Sequence, residues 1–366
     1  MGQKIHWWQP SIGDEEIKLL KKVLDNNFPN EGELTALFER EITQLLGCKY
    51  AVTVTSGTTA LFLALKALGV GPKDEVVVPD VTFIATVNAV EMCGATPVLV
   101  DVNPGTMNMD PEAFDRAITA RTKAVVPVHV SGRAVDMEVV LKIAEGKSIA
   151  VVEDAAQALM SMHKGKYLGT FGDAGCFSFS PHKTITTGQG GVVVTNNENL
   201  HRRLRELKDQ GRQVRGTGGD DLHNVIGYNF KFTDLQAAVG LGQLHYLRSR
   251  LERMKKNYSL YSGELKGLQG ISLFHFRLDE GEIPQWTDAV VEERDGLDAY
   301  LEANNIDCRR YWFPIHTQKP YRGNDNEFPN SLRLSAKALW LPSAFTLTDS
   351  DIQEVCFHIR KFMGKS

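Results

Sequence analysis

The chain has 366 residues, 42% of them apolar and 23% charged, with a formal net charge of −4. That is more chain than a single core usually absorbs, so a large domain and a smaller one are expected. The mixed charges exclude a strong electrostatic nucleic-acid footprint, and no apolar run is long enough to span a bilayer.

The first residues, MGQKIHWWQPSIGDEE, lack the uninterrupted apolar stretch of a secretion signal. From about residue 50 to 195, short β-branched runs alternate with helical ones. YAVTVT, DEVVVPD, TPVLVDV, KAVVPVHV, SIAVVED, GCFSFS and GGVVVTN read as strands, and TTALFLALKALG and MEVVLKIAEGK as helices. Near-continuous apolar strands between helices predict a mostly parallel sheet covered on both faces. Only a turn region separates GCFSFS from GGVVVTN, which adds some mixed pairing. Next comes DQGRQVRGTGGDDLHNVIGYNFKF, a polar, glycine-rich loop of unusual length. Thr233 and Gln236 then form a capping-box pattern ahead of one long amphipathic helix reaching about Leu260. ERDGLDAYLEANN and TDSDIQEVCFHIRKFM supply helical signals to the remainder. The resulting division is a large domain over 1–250, whose N-terminal segment is free to pack elsewhere, and a small α+β domain over 251–366. Five scattered cysteines with no CxxC pair point to free buried thiols in a reducing cytoplasm, with neither a disulfide framework nor a zinc site.

Four local features bear on chemistry. Ser56-Gly57-Thr58 stands where a strand ends and a helix begins, with Gly69 as its C-terminal stop. Such an N-terminus either binds a phosphate or is simply capped. Asp154 closes an apolar strand, at the end where open α/β sheets bind ligands. There it either meets a protonated ring nitrogen or caps a helix over AAQALM. Lys183, in CFSFSPHKTITTGQGG, has few charged neighbours in sequence. A desolvated amine is a nucleophile toward carbonyls, whereas most lysines are ordinary surface groups. Phe83, just after a strand, either lies flat on an aromatic cofactor or packs in the core. No GxGxxG follows a strand, and neither a GxxxxGKS/T loop nor a GxSxG elbow occurs. A lysine nucleophile, a strand-end aspartate, an aromatic and a helix-terminal phosphate cradle together fit pyridoxal phosphate chemistry.

TSGTTAL, DEVVVPDVTFIATVNAV, GATPVLVDV, VVEDAAQ, GDAGCFSFSPHKTITTGQGGVVVTN and YNFKFTDLQAAVGLGQL occur in that order. The chain so resembles the DegT/DnrJ/EryC1/StrS family of sugar aminotransferases, from about residue 8 onward. The resemblance implies the aspartate-aminotransferase fold (fold type I), a homodimer, and pyridoxal 5'-phosphate passing through pyridoxamine 5'-phosphate. It implies that Lys183 holds the cofactor covalently and moves the proton. Asp154 pairs with the ring nitrogen, Gln157 meets the phenolic oxygen and Phe83 stacks on the ring. Gly57, Thr58 and Ser178 bind the phosphate, and Asn229 reaches the phosphate of the neighbouring subunit's cofactor. Within CRRYWFPIH, Arg309 and His316 are expected to line the substrate side. The implied reaction moves an amino group from L-glutamate to a nucleotide-linked keto sugar, at C4 of a 4-keto-6-deoxyhexose. TITTG resembles members that turn GDP-4-keto-6-deoxymannose into GDP-perosamine. Alternatives are a C3 keto sugar or a cyclitol ketone, or a non-catalytic sugar sensor on the same fold. Gln189, Ser131 and Arg133 depart from common family residues.

Overall fold

A computed structural model describes residues 4–212 and 222–364. Strands β1 (Tyr50–Val54), β2 (Glu75–Pro79), β3 (Thr96–Val100), β4 (Thr122–Val125) and β5 (Ala150–Asp154) precede a short hairpin of β6 (Met162–His163) and β7 (Lys166–Tyr167). β8 (Ala174–Ser178) and β9 (Gly191–Thr195) follow. Seven of these form one sheet in the order β1-β9-β8-β5-β4-β2-β3. Its central neighbours pair in parallel, and β9 alone runs against β8 and β1. Every residue of β2 and of β9 is buried, because helices cover both faces. On one face Leu61, Leu63 and Ala64 of the helix Gly57–Ala67 pack on Val52, Val76 and Val152. On the other, Phe38 and Phe232 pack with Phe177 and Phe179.

Parallel pairing brings strand C-termini to one edge of the sheet. Asp154 sits opposite Cys176 in register, so the ends of β5 and β8 arrive there together. The helix starting at Gly57 begins after two intervening residues past β1, at the same edge. Gly69, with φ +85°, stops that helix as its sequence suggests.

A second, antiparallel sheet joins β10 (Ile271–Leu273), β11 (Thr287–Val291), β13 (Ala338–Leu341) and β12 (Arg309–Arg310), in that spatial order. Leu297 and Leu301 of one helix and Ile352, Val355 and Ile359 of another fill its core. The N-terminal segment packs here too. Ile5 bridges Ile306, the Ser343 amide donates to the Trp7 carbonyl at 3.0 Å, and Trp7 and Trp8 enter the same core.

Two expectations change. The single helix after Thr233 is two helices, Asp234–His245 and Leu247–Glu264, meeting at Tyr246 (φ −96°, ψ −1°). Thr233 does cap the first, its hydroxyl accepting from the Gln236 amide. No helix follows Asp154: AAQALM is a run of turns, so helix capping is not its role. Residues 213–221 of the glycine-rich loop lie outside the described residues.

Gly175 in β8 gives a direct stability prediction. A Cβ there would stand 1.9 Å from the Gly169 carbonyl oxygen, backbone against backbone. Gly175→Ala is therefore expected to cost at least about 2 kcal/mol, seen as a lower urea midpoint. An unchanged midpoint would contradict this packing.

Candidate active site

At the shared strand edge lies a cavity of about 380 Å³. Lys183, in the turn after β8, forms part of its wall, with Nζ 4.9 Å above the ring of Trp286. Burial pulls the Lys183 pKa down to about 8; Asp154 opposes the shift and Arg309 adds to it. A lysine near 8 is a far better nucleophile and base at neutral pH than one on the surface.

Asp154 lines the same cavity and is 5% exposed. Its Oδ2 accepts from the Thr86 hydroxyl at 2.8 Å and its Oδ1 from the Ala156 amide at 3.1 Å. Burial pushes its pKa up, since two neutral donors do not replace bulk water around a carboxylate. A cationic ring nitrogen is the group that would relieve it.

The helix end at Gly57 is built by close approach. Ser56 caps the helix through the Thr59 amide, and the amides of Gly57 and Thr58 have no intrahelical acceptor. A Cβ on Gly57 would lie 2.8 Å from the Ser178 Cβ, so glycine is what lets this helix end meet β8. Phe83 is 51% exposed at the cavity wall, which removes the core-packing reading and leaves a ring face free to stack. Gln157 lines the cavity while its Oε1 accepts from the Ser131 amide at 2.8 Å. An amine, a buried carboxylate, an open ring and an anion cradle within one cavity match an aromatic aldehyde phosphate.

Residues 10–360 match the DegT/DnrJ/EryC1/StrS aminotransferase family. The chain belongs to this family. It is 36% identical to the GDP-perosamine synthase of Escherichia coli O157:H7 over 360 residues, 97% of each chain. Its fold matches the putative sugar aminotransferase Spr1654 of Streptococcus pneumoniae in its PLP form, with a TM-score of 0.94, 26% identity and 99% of each chain covered. It also matches S. venezuelae DesV in complex with a ketimine intermediate, with a TM-score of 0.91 and 32% identity, over 97% of this chain and 99% of that one. The protein is thus a pyridoxal-phosphate-dependent sugar aminotransferase of fold type I, which sets aside the silent-sensor alternative. Its cofactor is pyridoxal 5'-phosphate, with pyridoxamine 5'-phosphate as the aminated form. No described helix is long and apolar enough to cross a membrane.

The aminotransferase brings Lys183, Asp154, Gly57, Thr58, Phe83, Gln157, Ser178 and Arg309 into one wall. Arg309, from β12, lies 5.0 Å over the ring of Trp7 and 5.6 Å from that of Trp340. Among the described residues no carboxylate pairs with it, and burial lowers its pKa. His316 does not line this cavity. It is fully buried, its Nδ1 2.7 Å from Asp80 Oδ2, its amide donating to Asp80 Oδ1 at 2.8 Å and its ring stacked on Phe328. That tie fastens the segment after Trp312 to the end of β2, three residues before Phe83. Asn229 is exposed, bridged to Asp209, and outside this cavity.

Sequence reasoning passed over Trp286, Trp312 and Thr86. The two tryptophans line the cavity and Thr86 holds Asp154. Trp312 stood in the quoted segment CRRYWFPIH, whereas IPQWTD around Trp286 carries no local signal.

Proposed function

We propose that the enzyme moves the amino group of L-glutamate to the C4 ketone of a nucleotide-linked 4-keto-6-deoxyhexose. GDP-4-keto-6-deoxymannose is the acceptor we favour, giving GDP-perosamine, in line with the E. coli relative of that name. The observation that carries the chemistry is Lys183, lowered to about 8, sharing one cavity with the buried carboxylate of Asp154.

Each residue then has a task. Gly57, Thr58 and Ser178 hold the cofactor phosphate, Phe83 supports one ring face and Gln157 meets the phenolic oxygen. Pyridoxal phosphate, when bound, supplies a ring that draws electrons from the carbon losing its proton. Asp154 keeps the ring nitrogen protonated. Lys183 is the covalent anchor and, once released, takes the donor's α-proton and returns it later, a role suited to a pKa near neutrality. The indoles of Trp286 and Trp312 limit water at the same wall.

Arg309 supplies the unpaired positive charge in the cavity and binds the donor's α-carboxylate. Arg309→Ala is expected to raise the KM for L-glutamate about tenfold to a hundredfold, the worth of a charged hydrogen bond. The KM for the keto sugar should move much less. Equal rises in both would count against this role.

The working unit we propose is a homodimer, with Asn229 reaching the phosphate of its partner's cofactor. Leu222, Val225 and Ile226 expose apolar side chains beside Asn229, as a surface covered by a second subunit would. His316 keeps a place near the substrate only through the Asp80 tie. The five unpaired thiols favour a cytoplasmic setting. Incubation with L-glutamate and a panel of keto substrates, followed by NMR of the product, tests the assignment. Amine at C4 of the GDP sugar supports it; turnover only of C3-keto sugars or cyclitol ketones would replace it with those readings.

A further inference from the structure

A second cavity, of about 440 Å³, shares no lining residue with the first. It lies on the seam where the loop after β3, the segment Arg133–Asp136 and the β6-β7 hairpin meet residues 275–282, which approach β11. Its size suits a small metabolite.

The buried histidine in its wall is the telling group. His163 is 3% exposed, and neither ring nitrogen has a hydrogen-bond partner among the described residues. Its one ring neighbour, Phe171 at 6.0 Å, offers no acceptor. A buried imidazole with both nitrogens idle is costly unless something in the cavity engages it.

The charges around it indicate what that is. Arg133, Lys164 and Arg277 line the cavity with His163 and His275, against only Asp136 and Glu282. Both carboxylates are already engaged. Glu282 accepts from the Ala134 amide at 2.9 Å and from the amide and guanidinium of Arg277, which also lies 3.5 Å from Glu280 and so is already paired, while Asp136 caps the next helix through the Val139 amide. Lys164 pairs with Glu138, which stands outside the lining and can yield to a stronger anion. Arg133 is held by the Thr106 carbonyl and an ion pair with Asp288, so it contributes field more than contact.

We propose that this seam cavity is a second ligand site, for a phosphate group, with His163 donating to a phosphate oxygen and Lys164, released from Glu138, balancing its charge. The group arrives either as inorganic phosphate or as the phosphate of a hexose phosphate, whose sugar the remaining volume accommodates.

Calorimetric titration of the holoenzyme tests this, because bound cofactor fills the cradle at Gly57 and Thr58. Inorganic phosphate, a hexose 1-phosphate and glucose would each be titrated into wild type, His163→Gln, Lys164→Ala and Arg309→Ala. Saturable phosphate binding that His163→Gln and Lys164→Ala each weaken at least tenfold, and Arg309→Ala leaves alone, is the expected result. Tighter binding of the hexose phosphate than of phosphate makes the ester the natural ligand; equal affinity makes it free phosphate. The proposal is overturned if nothing saturates, or if glucose binds as well as its phosphate. It is also overturned if Arg309→Ala abolishes binding that Lys164→Ala spares, since the anion then occupies the active site. Lys164 is 57% exposed, so its variant keeps the test decisive even if His163→Gln misfolds.

Discussion

Lys183→Ala is expected to lower transamination by about four orders of magnitude, the upper range for losing a positioned acid–base group that is also the covalent anchor. The cofactor itself should stay bound if Gly57, Thr58 and Ser178 hold its phosphate as proposed, without help from the lysine. The visible spectrum separates these effects: the variant should show bound cofactor with no covalent attachment, and glutamate should convert it only very slowly. Variant protein that purifies without cofactor would show that the cradle is too weak for the role given to it. The pH dependence carries a sign as well. With a pKa of about 8, roughly a tenth of Lys183 is neutral at pH 7, against about one part in three thousand for an unshifted lysine. Capture of added cofactor by apoenzyme should therefore rise with pH and level off above about 8. A rate still climbing steeply between pH 9 and 10 would show that burial does not lower this amine.

Asp154→Asn is expected to reduce kcat about 10²- to 10³-fold, the scale for removing one preorganised charge from a water-poor site. The fold should survive, since an asparagine fits the same space, its one oxygen still accepts from the Ala156 amide, and the Thr86 hydroxyl can accept from the new amide nitrogen while donating to the Phe83 carbonyl. The loss should fall on kcat with little change in the keto-sugar KM, because the charge acts on the ring and not on sugar recognition. A variant within threefold of wild type would remove Asp154 from the mechanism.

The residues that sequence made legible before any family resemblance share one property: each follows directly from a local pattern. Asp154 ends an apolar strand, Ser56-Gly57-Thr58 starts a helix, and Lys183 interrupts an uncharged run, so each could be placed from its immediate neighbours. What stayed hidden depends on pairings far along the chain. Trp286 reaches Lys183 only because the seam around β11 folds back on the larger sheet, across about a hundred residues. Arg309 and His316 show the opposite hazard. Seven residues apart in one motif, they invite a shared role, yet β12 sends Arg309 to the cavity and the turn at Pro314 carries His316 to Asp80. The break at Tyr246 had no glycine or proline to announce it.

The threading of the first residues into the second sheet also sets a timetable. Ile5 cannot meet Ile306 until about three hundred residues have been added, and the strand that backs Trp7 and Trp8 comes later still. At ordinary synthesis rates that is a wait of roughly 15–60 s during which two tryptophans have only partners such as the Pro181 carbonyl and His182, without the sheet that buries them. The start of this protein is therefore among the last of its parts to fold, and the interval before it docks is when the nascent chain most needs protection from aggregation.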